Sequence, residues 1–385
     1  MITVIADDLT GAAEIAGICL RHGIDVAFGI DSIPEKEATV NVIATDSRSL
    51  TEEEAYQVHL QIANKILKKN SEQIIFKKCD SVLRGYVITE LSALMSASEK
   101  KSVLLQSSNP IGNRCIRNGI YFVNDIKIEN TSFLSDPDFP SKTSSVKNLL
   151  LERSSKNTME IYTKMINKIN SKGVYIPDCN SEADLKKNLN LYSEKIIIGG
   201  SAAFFEQFLI KMNLTSKIKV STKYSVSEGY LLASGSAHPK SIIYSEMLQN
   251  NNCPVVTFPN HLLLEHIKGS DLRKWKREIA KIYKENKKLG LRISNDIIHF
   301  DNCSKELKNR MSLVIKELFK TSEIDELFIE GGATAYDILK KLEWNSFTPT
   351  SELAPGVVRI QYDRNIKKHI TIKPGSYEWP DELLN

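Results

Sequence analysis

Ile2-Thr3-Val4-Ile5-Ala6-Asp7-Asp8-Leu9-Thr10-Gly11-Ala12 reads as a short apolar strand that stops on two carboxylates and hands over to a helix. The helix is expected over 12–22, with Ile15, Ile18 and Cys19 on one face. The same alternation continues outward. Strands are predicted at 25–30, 40–44, 73–76, 102–106, 174–176 and 195–199. Thr51 and Glu54 form a capping-box pattern that starts a helix running to about residue 70, a helix is expected over 86–98, and Ser181 caps another near Asp184. Strands alternating with helices at this spacing predict a largely parallel sheet covered on both faces. Residues 109–145 break the rhythm with a hairpin around Asn124-Asp125 and a polar stretch carrying Pro137 and Pro140.

Residues 213–228 are polar, without periodicity, and read as a linker. After them a second unit begins, with strands predicted at 230–233, 254–258, 326–329 and 369–372. The Lys-, Arg- and Glu-rich stretch 268–288 reads as a solvated helix face. The expected architecture is therefore α/β: two domains, 1–212 and 229–385, each a mostly parallel sheet flanked by helices, with an active site in the cleft between them.

Length and composition agree with this. The 385 residues suit two to three domains. With 42% hydrophobic and 25% charged residues the chain is neither disordered nor collagen-like. A net charge of +4, from 51 basic and 47 acidic residues, is too balanced to imply nucleic acid. No apolar run approaches the ~18 residues of a membrane span, and the best, 196–205, contains Gly199 and Gly200. No export signal is visible, so a cytoplasmic protein is expected. The six cysteines form no Cys-x-x-Cys pair and read as reduced thiols. No His-x-x-x-His occurs, and no protein-ligated metal is expected.

In open parallel sheets, ligands bind beyond the carboxyl ends of the strands. That rule selects Asp7 and Asp8 after the first strand, and Asp46, Ser47 and Arg48 after the third. It also selects Lys77, Asp80, Ser81 and Arg84 after the fourth, and Asn109, Asn113 and Arg114 after the fifth. Carboxylates accept hydrogen bonds from hydroxyls, and arginine forks suit carboxylate or phosphate, so one rim carrying both suits a small polyhydroxy acid. The plainer reading of Asp7 or Asp8 is a helix cap. In the second unit, Ser234-Gly235-Ser236 and Gly331-Gly332-Ala333-Thr334 each follow a strand and open a helix, and Lys373-Pro374-Gly375 adds a cation. Such turns can cradle phosphate at a helix N-terminus, although neither a Walker motif nor Gly-x-Gly-x-x-Gly is present.

The segment from Ile5 to Ala12 resembles the opening motif of the four-carbon acid sugar kinase family. Lys77-x-x-Asp80-Ser81-x-Leu83-Arg84-Gly85 resembles its second signature. Gly331-Gly332-x-Thr334, Pro355-Gly356-Val357 and Lys373-x-Gly375 resemble its C-terminal signatures, in the same order. The likeness runs from residue 2 to about 377. It implies an ATP- and Mg²⁺-dependent kinase of tetronates or 3-oxo-tetronates, with the acid held by the N-terminal domain and the nucleotide by the C-terminal one. Asp8, Asp80 and Arg84 would be catalytic, with Asp8 the favoured base. Asp7, Arg48, Lys77, Ser81 and Arg114 would bind the acid. Ser234, Ser236, Gly331, Gly332, Thr334, Gly356, Lys373 and Gly375 would bind the nucleotide. Mg²⁺ would rest on phosphate and water with few protein ligands. The partners implied are a small sugar acid and ATP, without nucleic acid or membrane, and a homodimer is left open. The chain departs from the pattern at Ala333, where an acid is usual, with Glu330 as a substitute carboxylate; around Asn113-Arg114; at Ser236-Ala237-His238; and after Lys373. The rival readings are a sugar-acid sensor without catalysis, kept alive by Ala333, and an NAD(P)-dependent oxidoreductase, weakened by the missing glycine fingerprint.

Overall fold

The computed structural model describes residues 1–155, 159–216, 226–227, 229–263, 269–294 and 303–380. Contacts divide the chain into two units, Met1–Lys219 and Val220–Asn385. The division falls inside the stretch expected to be a linker, of which 217–225 and 228 lie outside the described residues. Among the described residues no helix is long and apolar enough to cross a membrane.

The first unit runs β1 (Ile2–Ala6), α1 (Leu9–Arg21), β2 (Val26–Ile30), β3 (Val40–Ala44), α2 (Glu52–Lys69), β4 (Ile74–Lys78), α3 (Val87–Ser98) and β5 (Ser102–Gln106). It continues with β6 (Arg114–Arg117), β7 (Ile120–Val123), β8 (Ile126–Lys127), α4 (Val146–Glu152), β9 (Ile161–Lys164), β10 (Gly173–Pro177), α5 (Glu182–Asn188), β11 (Ile197–Gly200) and α6 (Ala202–Lys211). Caps explain several starts. Asp8 accepts from Gly11 N–H at the head of α1, Thr51 and Glu54 complete a reciprocal capping box on α2, and Ser181 accepts from Asp184 N–H on α5. Asn124 and Asp125 both have positive φ (51° and 61°), as the tight turn joining β7 to β8 requires.

Eight strands form a wholly parallel sheet in the order β2-β3-β1-β4-β11-β5-β10-β9, and β6–β8 form a separate antiparallel sheet. Alternation along β4 sets its two faces. Ile75 joins the core beneath α2, α3 and α4. Phe76 faces the other way and packs on Phe204, Phe205 and Phe208 of α6 at centroid distances of 6.4, 5.0 and 6.0 Å. Burying one such ring contributes about 1.5–3 kcal/mol. From β1 the chain moves to β3 and β2 on one side, then crosses to β4 on the other. The crevice beyond the carboxyl ends of β1 and β4 is thus a topological switch point.

The second unit runs β12 (Tyr230–Ser234), α7 (Pro239–Asn250), β13 (Val255–Thr257), α8 (Gly269–Asn286), β14 (Lys288–Arg292), α9 (Cys303–Thr321) and β15 (Glu326–Glu330). Then follow α10 (Gly332–Leu342), β16 (Ser346–Ala354), β17 (Val357–Tyr362) and β18 (His369–Lys373). Its strand order is β13-β14-β12-β15-β18-β17-β16. The first five of these are parallel and the last two antiparallel. Here the switch point lies between β12 and β15. The turns Ser234-Gly235-Ser236 and Glu330-Gly331-Gly332 therefore share one crevice.

Candidate active site

In the first unit the switch-point crevice collects charge from three strand ends. Asp7 is fully buried and accepts from Arg48 Nε at 2.6 Å. Arg48 Nη2 donates to Asp8 Oδ1 at 3.2 Å and lies 3.6 Å from Asp80 Oδ1. Asp80 Oδ2 accepts from the Val82 and Arg84 amides at 3.1 and 3.2 Å and from Arg84 Nε at 3.1 Å, while Oδ1 accepts from Arg84 Nη2 at 3.0 Å. Arg84 Nη1 reaches Asp136 at 3.4 Å. The backbone presses close to this cluster at Gly85, whose φ is +90° and where a Cβ would stand 3.2 Å from Arg48 Cγ.

Burial alone would raise the Asp80 carboxyl, but Arg48, Arg84 and Lys78 outweigh it and hold it far below the usual carboxylate range. Burial likewise opposes ionisation of Asp7, and Arg48, Lys77 and Lys78 again prevail, so it too lies below its ordinary value. Among the described residues Asp7 Oδ1 has no hydrogen-bond partner. Asp8 accepts from Gly11 N–H at 3.1 Å and from the Thr10 hydroxyl. It caps α1, as the plainer sequence reading had it, and through Arg48 it also stands in the charged crevice.

Asp7, Asp8, Arg48, Asp80 and Arg84 are thus brought together. Ser81 and Arg114 form a neighbouring pair, with the Arg114 guanidinium donating to the Ser81 hydroxyl and Tyr121 donating to the Ser81 carbonyl. Lys77 does not join them. β4 extends through Lys77 and Lys78 instead of ending at 76, so Lys77 points onto the α3 face. There its ammonium, without exposed surface, lies 3.0 Å from Glu90 Oε2 and donates to the Lys78 carbonyl at 2.8 Å.

Two cations not singled out from the sequence belong to the cluster. Lys78 points to the opposite face, 3.6 Å from Glu14. A Cβ on Gly11 would stand 2.5 Å from Asp8 Oδ1 and 3.0 Å from Lys78 Nζ. Burial opposes its charge, but Glu14, Asp8 and Asp7 raise its pKa. Arg153 donates to the carbonyls of Leu83 and Phe139 and to Ser141, which clamps the Asp80–Gly85 turn where Leu83 takes a left-handed φ of 63°. Burial lowers the Arg153 pKa to about 10. Strand alternation at 77–78 was the signal for Lys78. Arg153 lies 69 residues from Arg84 with no local motif to mark it.

In the second unit the glycine turns line a cavity of about 410 Å³ bounded by Gly235, Ala237, Ile293, Cys303, Ser304, Leu307, Lys308, Met311 and the run from Gly331 to Thr334. A Cβ on Gly235 would fall 1.9 Å from Thr334 Oγ1, so only glycine lets these two turns meet. Gly331 heads α10 with φ +98° and offers no side-chain cap, which leaves the first-turn N–H groups for an incoming anion. The apolar face of α9 (Cys303, Leu307, Met311, at i, i+4, i+8) was missed because such a stripe ordinarily reads as core.

The other expected nucleotide ligands stand apart from the cavity lining. Lys373 is fully buried, 2.7 Å from Glu330, and donates to the Pro374 and Tyr377 carbonyls at 3.0 and 2.6 Å. Burial lowers its pKa against the pull of Glu330. Ser234 donates to the same Glu330 carboxylate. Glu330 therefore lies in the core and does not replace the carboxylate missing at Ala333. Ser236 and Gly375 pack together, the Ser236 hydroxyl donating to the Gly375 carbonyl at 3.4 Å. Gly356 turns between β16 and β17 at φ +77°, where a Cβ would meet the Tyr377 ring at 2.8 Å. Among the described residues no group of three or more His, Cys, Asp or Glu side chains could hold a metal by itself.

A sequence profile described as a sugar-binding N-terminal domain matches residues 2–208. A D-threonate kinase of Salmonella typhimurium is 22% identical over 383 residues, covering 91% of this chain and 89% of that protein. A 3-oxo-tetronate kinase of Brucella melitensis is 28% identical over 158 residues, covering 39% of this chain and 36% of that protein. A Salmonella typhimurium crystal structure, described provisionally as a tRNA synthase, superposes with a TM-score of 0.77 at 18% identity over 100% of this chain and 97% of that one, which shows a shared fold alone. With more than half its length matched by the sugar-binding profile, the chain belongs to the four-carbon acid sugar kinase family.

Proposed function

We propose that the protein transfers the terminal phosphoryl group of ATP to a hydroxyl of a four-carbon sugar acid, a tetronate or a 3-oxo-tetronate. Membership of the family makes it a phosphotransferase with an alcohol group as acceptor. The observation that carries the substrate class is the convergence of Asp7, Asp8, Asp80, Arg48 and Arg84 from three strand ends on one crevice. Arg84, one-third exposed, and Arg48 bind the substrate carboxylate through their planar forks. Asp7 and Asp80, both held ionised, accept from hydroxyls. Asp80 is a poor proton acceptor, because its cationic partners stabilise the carboxylate so strongly. Asp8 is the better base: it is partly exposed and less encumbered, and Gly11 N–H and Thr10 fix its orientation.

The second unit's cavity suits the nucleotide. Its apolar α9 face accepts a base, and the uncapped α10 terminus with the Gly235 turn accepts phosphate. Mg²⁺ bound on the phosphates supplies charge neutralisation of the transferring group. The protein's part is to position both reactants and to exclude water.

The test is a coupled ADP-release screen with ATP and Mg²⁺ over four- and five-carbon sugar acids, with a parallel read at 340 nm using NAD(P). ADP release on a tetronate or 3-oxo-tetronate supports the reading. Acid binding by calorimetry without ADP release would support a sensor instead, and cofactor reduction an oxidoreductase.

A further inference from the structure

Polyphosphate needs a cation as well as helix N–H groups, because neutralising its charge is most of the binding problem. The cation that the sequence offered, Lys373, is consumed inside the unit by Glu330 and two carbonyls. Twelve described residues line the second unit's cavity, and Lys308 is the one among them with a formal charge. It projects from α9 toward α10, where its Nζ lies 3.8 Å from Asp337 Oδ2. Asp337 is one helical turn beyond Ala333, so the ammonium stands alongside the first turns of the helix whose N-terminus is uncapped. The pair is loose and partly open to solvent (side-chain exposure 20% and 33%), unlike the sealed Lys373–Glu330 pair. Asp337 also feels Lys305 and Lys341, so it keeps cationic neighbours if Lys308 swings away.

We infer that Lys308 is the phosphate-neutralising cation of this cavity, parked on Asp337 until nucleotide arrives. The inference rests on the nucleotide reading of the cavity given above and names the residue that discriminates phosphorylated from unphosphorylated ligands. The apolar contacts that Ile293, Leu307 and Met311 offer a nucleoside would not depend on it. Binding of ATP, ADP or any polyphosphate would.

Calorimetry on the full chain with Mg²⁺ tests this, using ATP, ADP and adenosine as titrants against wild type, Lys308→Gln, Lys308→Arg and Asp337→Asn. A hydrogen-bonded charge on phosphate predicts about 10- to 100-fold weaker ATP and ADP binding in Lys308→Gln, with adenosine binding unchanged. Lys308→Arg retains most of the ATP affinity. Asp337→Asn binds ATP more tightly than wild type, since the competing counter-ion is gone. Equal ATP affinity in wild type and Lys308→Gln overturns the inference while leaving the nucleotide site intact. Parallel losses of adenosine and ATP, or ATP binding in Asp337→Asn as weak as in Lys308→Gln, assign the pair a structural role and overturn it as well. Wild type that binds neither ATP nor adenosine overturns the nucleotide reading itself, and the role of Lys308 with it.

Discussion

Glu90→Gln isolates the buried charge pair behind the first unit's charged crevice. Lys77 and Glu90 have no exposed side-chain surface, and their Nζ and Oε2 atoms are 3.0 Å apart. Glutamine preserves the shape of the site and an acceptor for the Ser47 hydroxyl, which now donates to Glu90 Oε1 at 2.6 Å. It removes the nearest countercharge, and the Lys77 ammonium keeps the Lys78 carbonyl at 2.8 Å and the field of Asp7. Stranding a buried charge in this way costs about 3–5 kcal/mol. Removing both charges with Lys77→Met and Glu90→Leu avoids that cost and loses mainly the Ser47 bond, about 1–2 kcal/mol. The two sites should therefore couple by at least about 2 kcal/mol in a double-mutant cycle. Urea unfolding followed by far-UV circular dichroism reads the change. All three tryptophans (275, 344, 379) lie in the second unit, so their fluorescence serves as an internal reference that the substitution should leave in place. A loss below about 1 kcal/mol in Glu90→Gln, or a double variant that loses as much as the two singles added together, would refute the reasoning.

Asp8→Asn keeps the helix cap and loses the proton acceptor, so turnover with ATP and the best sugar acid should fall about 10²–10⁴-fold while the thermal midpoint stays close to wild type; full turnover would remove Asp8 from the base role. Stability should decline on acidification in two stages. His59 is held below its ordinary pKa by burial, so its contribution is lost as pH falls below about 6.5, where the unfolded imidazole takes a proton that the folded one refuses. Asp7 and Asp80 lie below their ordinary values despite burial, so their contribution is complete above about pH 4 and drains away beneath it. Urea midpoints from pH 3 to 8 should show both stages, with Asp80→Asn flattening the lower one alone; a midpoint that rises on acidification would contradict the assignment. Gly235→Ala should weaken ATP binding about 5- to 150-fold by calorimetry, since its Cβ would fall 1.9 Å from Thr334 Oγ1 and the overpacking costs about 1–3 kcal/mol; sugar-acid binding should not change.

Most of the fold was legible because its signals are local. The short apolar runs placed β1, β3 and β5 at their observed bounds, the Thr51–Glu54 pattern started α2, and Asn124-Asp125 announced the hairpin turn. The charge cluster was legible for the same reason: strand ends carry Asp7, Asp8, Arg48, Asp80 and Arg84 to one edge. What the sequence concealed depends on direction. Lys77 and Lys78 are equivalent as letters, but ending the strand two residues later sends one to Glu90 and the other to Glu14 and the Asp8 turn. Lys373 sits at a strand end like the others, yet its side chain turns inward. Arg153, just past the end of α4, and Lys308, on α9, reach their sites from far along the chain, and no pattern of neighbours could have shown where their side chains go.

The two units use one device twice. In the first, Lys77 at the end of β4 pairs with Glu90, and Ser47 donates to the same carboxylate. In the second, Lys373 at the end of β18 pairs with Glu330, and Ser234 donates to it. Each serine sits one residue before a residue of the crevice: Arg48 follows Ser47, and Gly235 follows Ser234. A buried ion pair is weak evidence for stability, because its desolvation cost offsets most of its attraction, and apolar side chains of the same volume would hold the sheet about as well. Apolar side chains would not, however, fix the rotation of a serine hydroxyl or the path of the turn attached to it. A carboxylate with two fixed donors does, because each bond constrains the other in a medium where neither can exchange with water. The sealed pairs are therefore best explained as supports that set the turns at the mouth of each crevice before substrate arrives, the preorganisation on which phosphoryl transfer chiefly depends. On this view Lys77→Met with Glu90→Leu should fold and yet bind the sugar acid less well, and Lys373→Met with Glu330→Leu should fold and yet bind ATP less well. If both double variants keep wild-type KM values, the pairs are structural relics of the strand ends and the turns are set by something else.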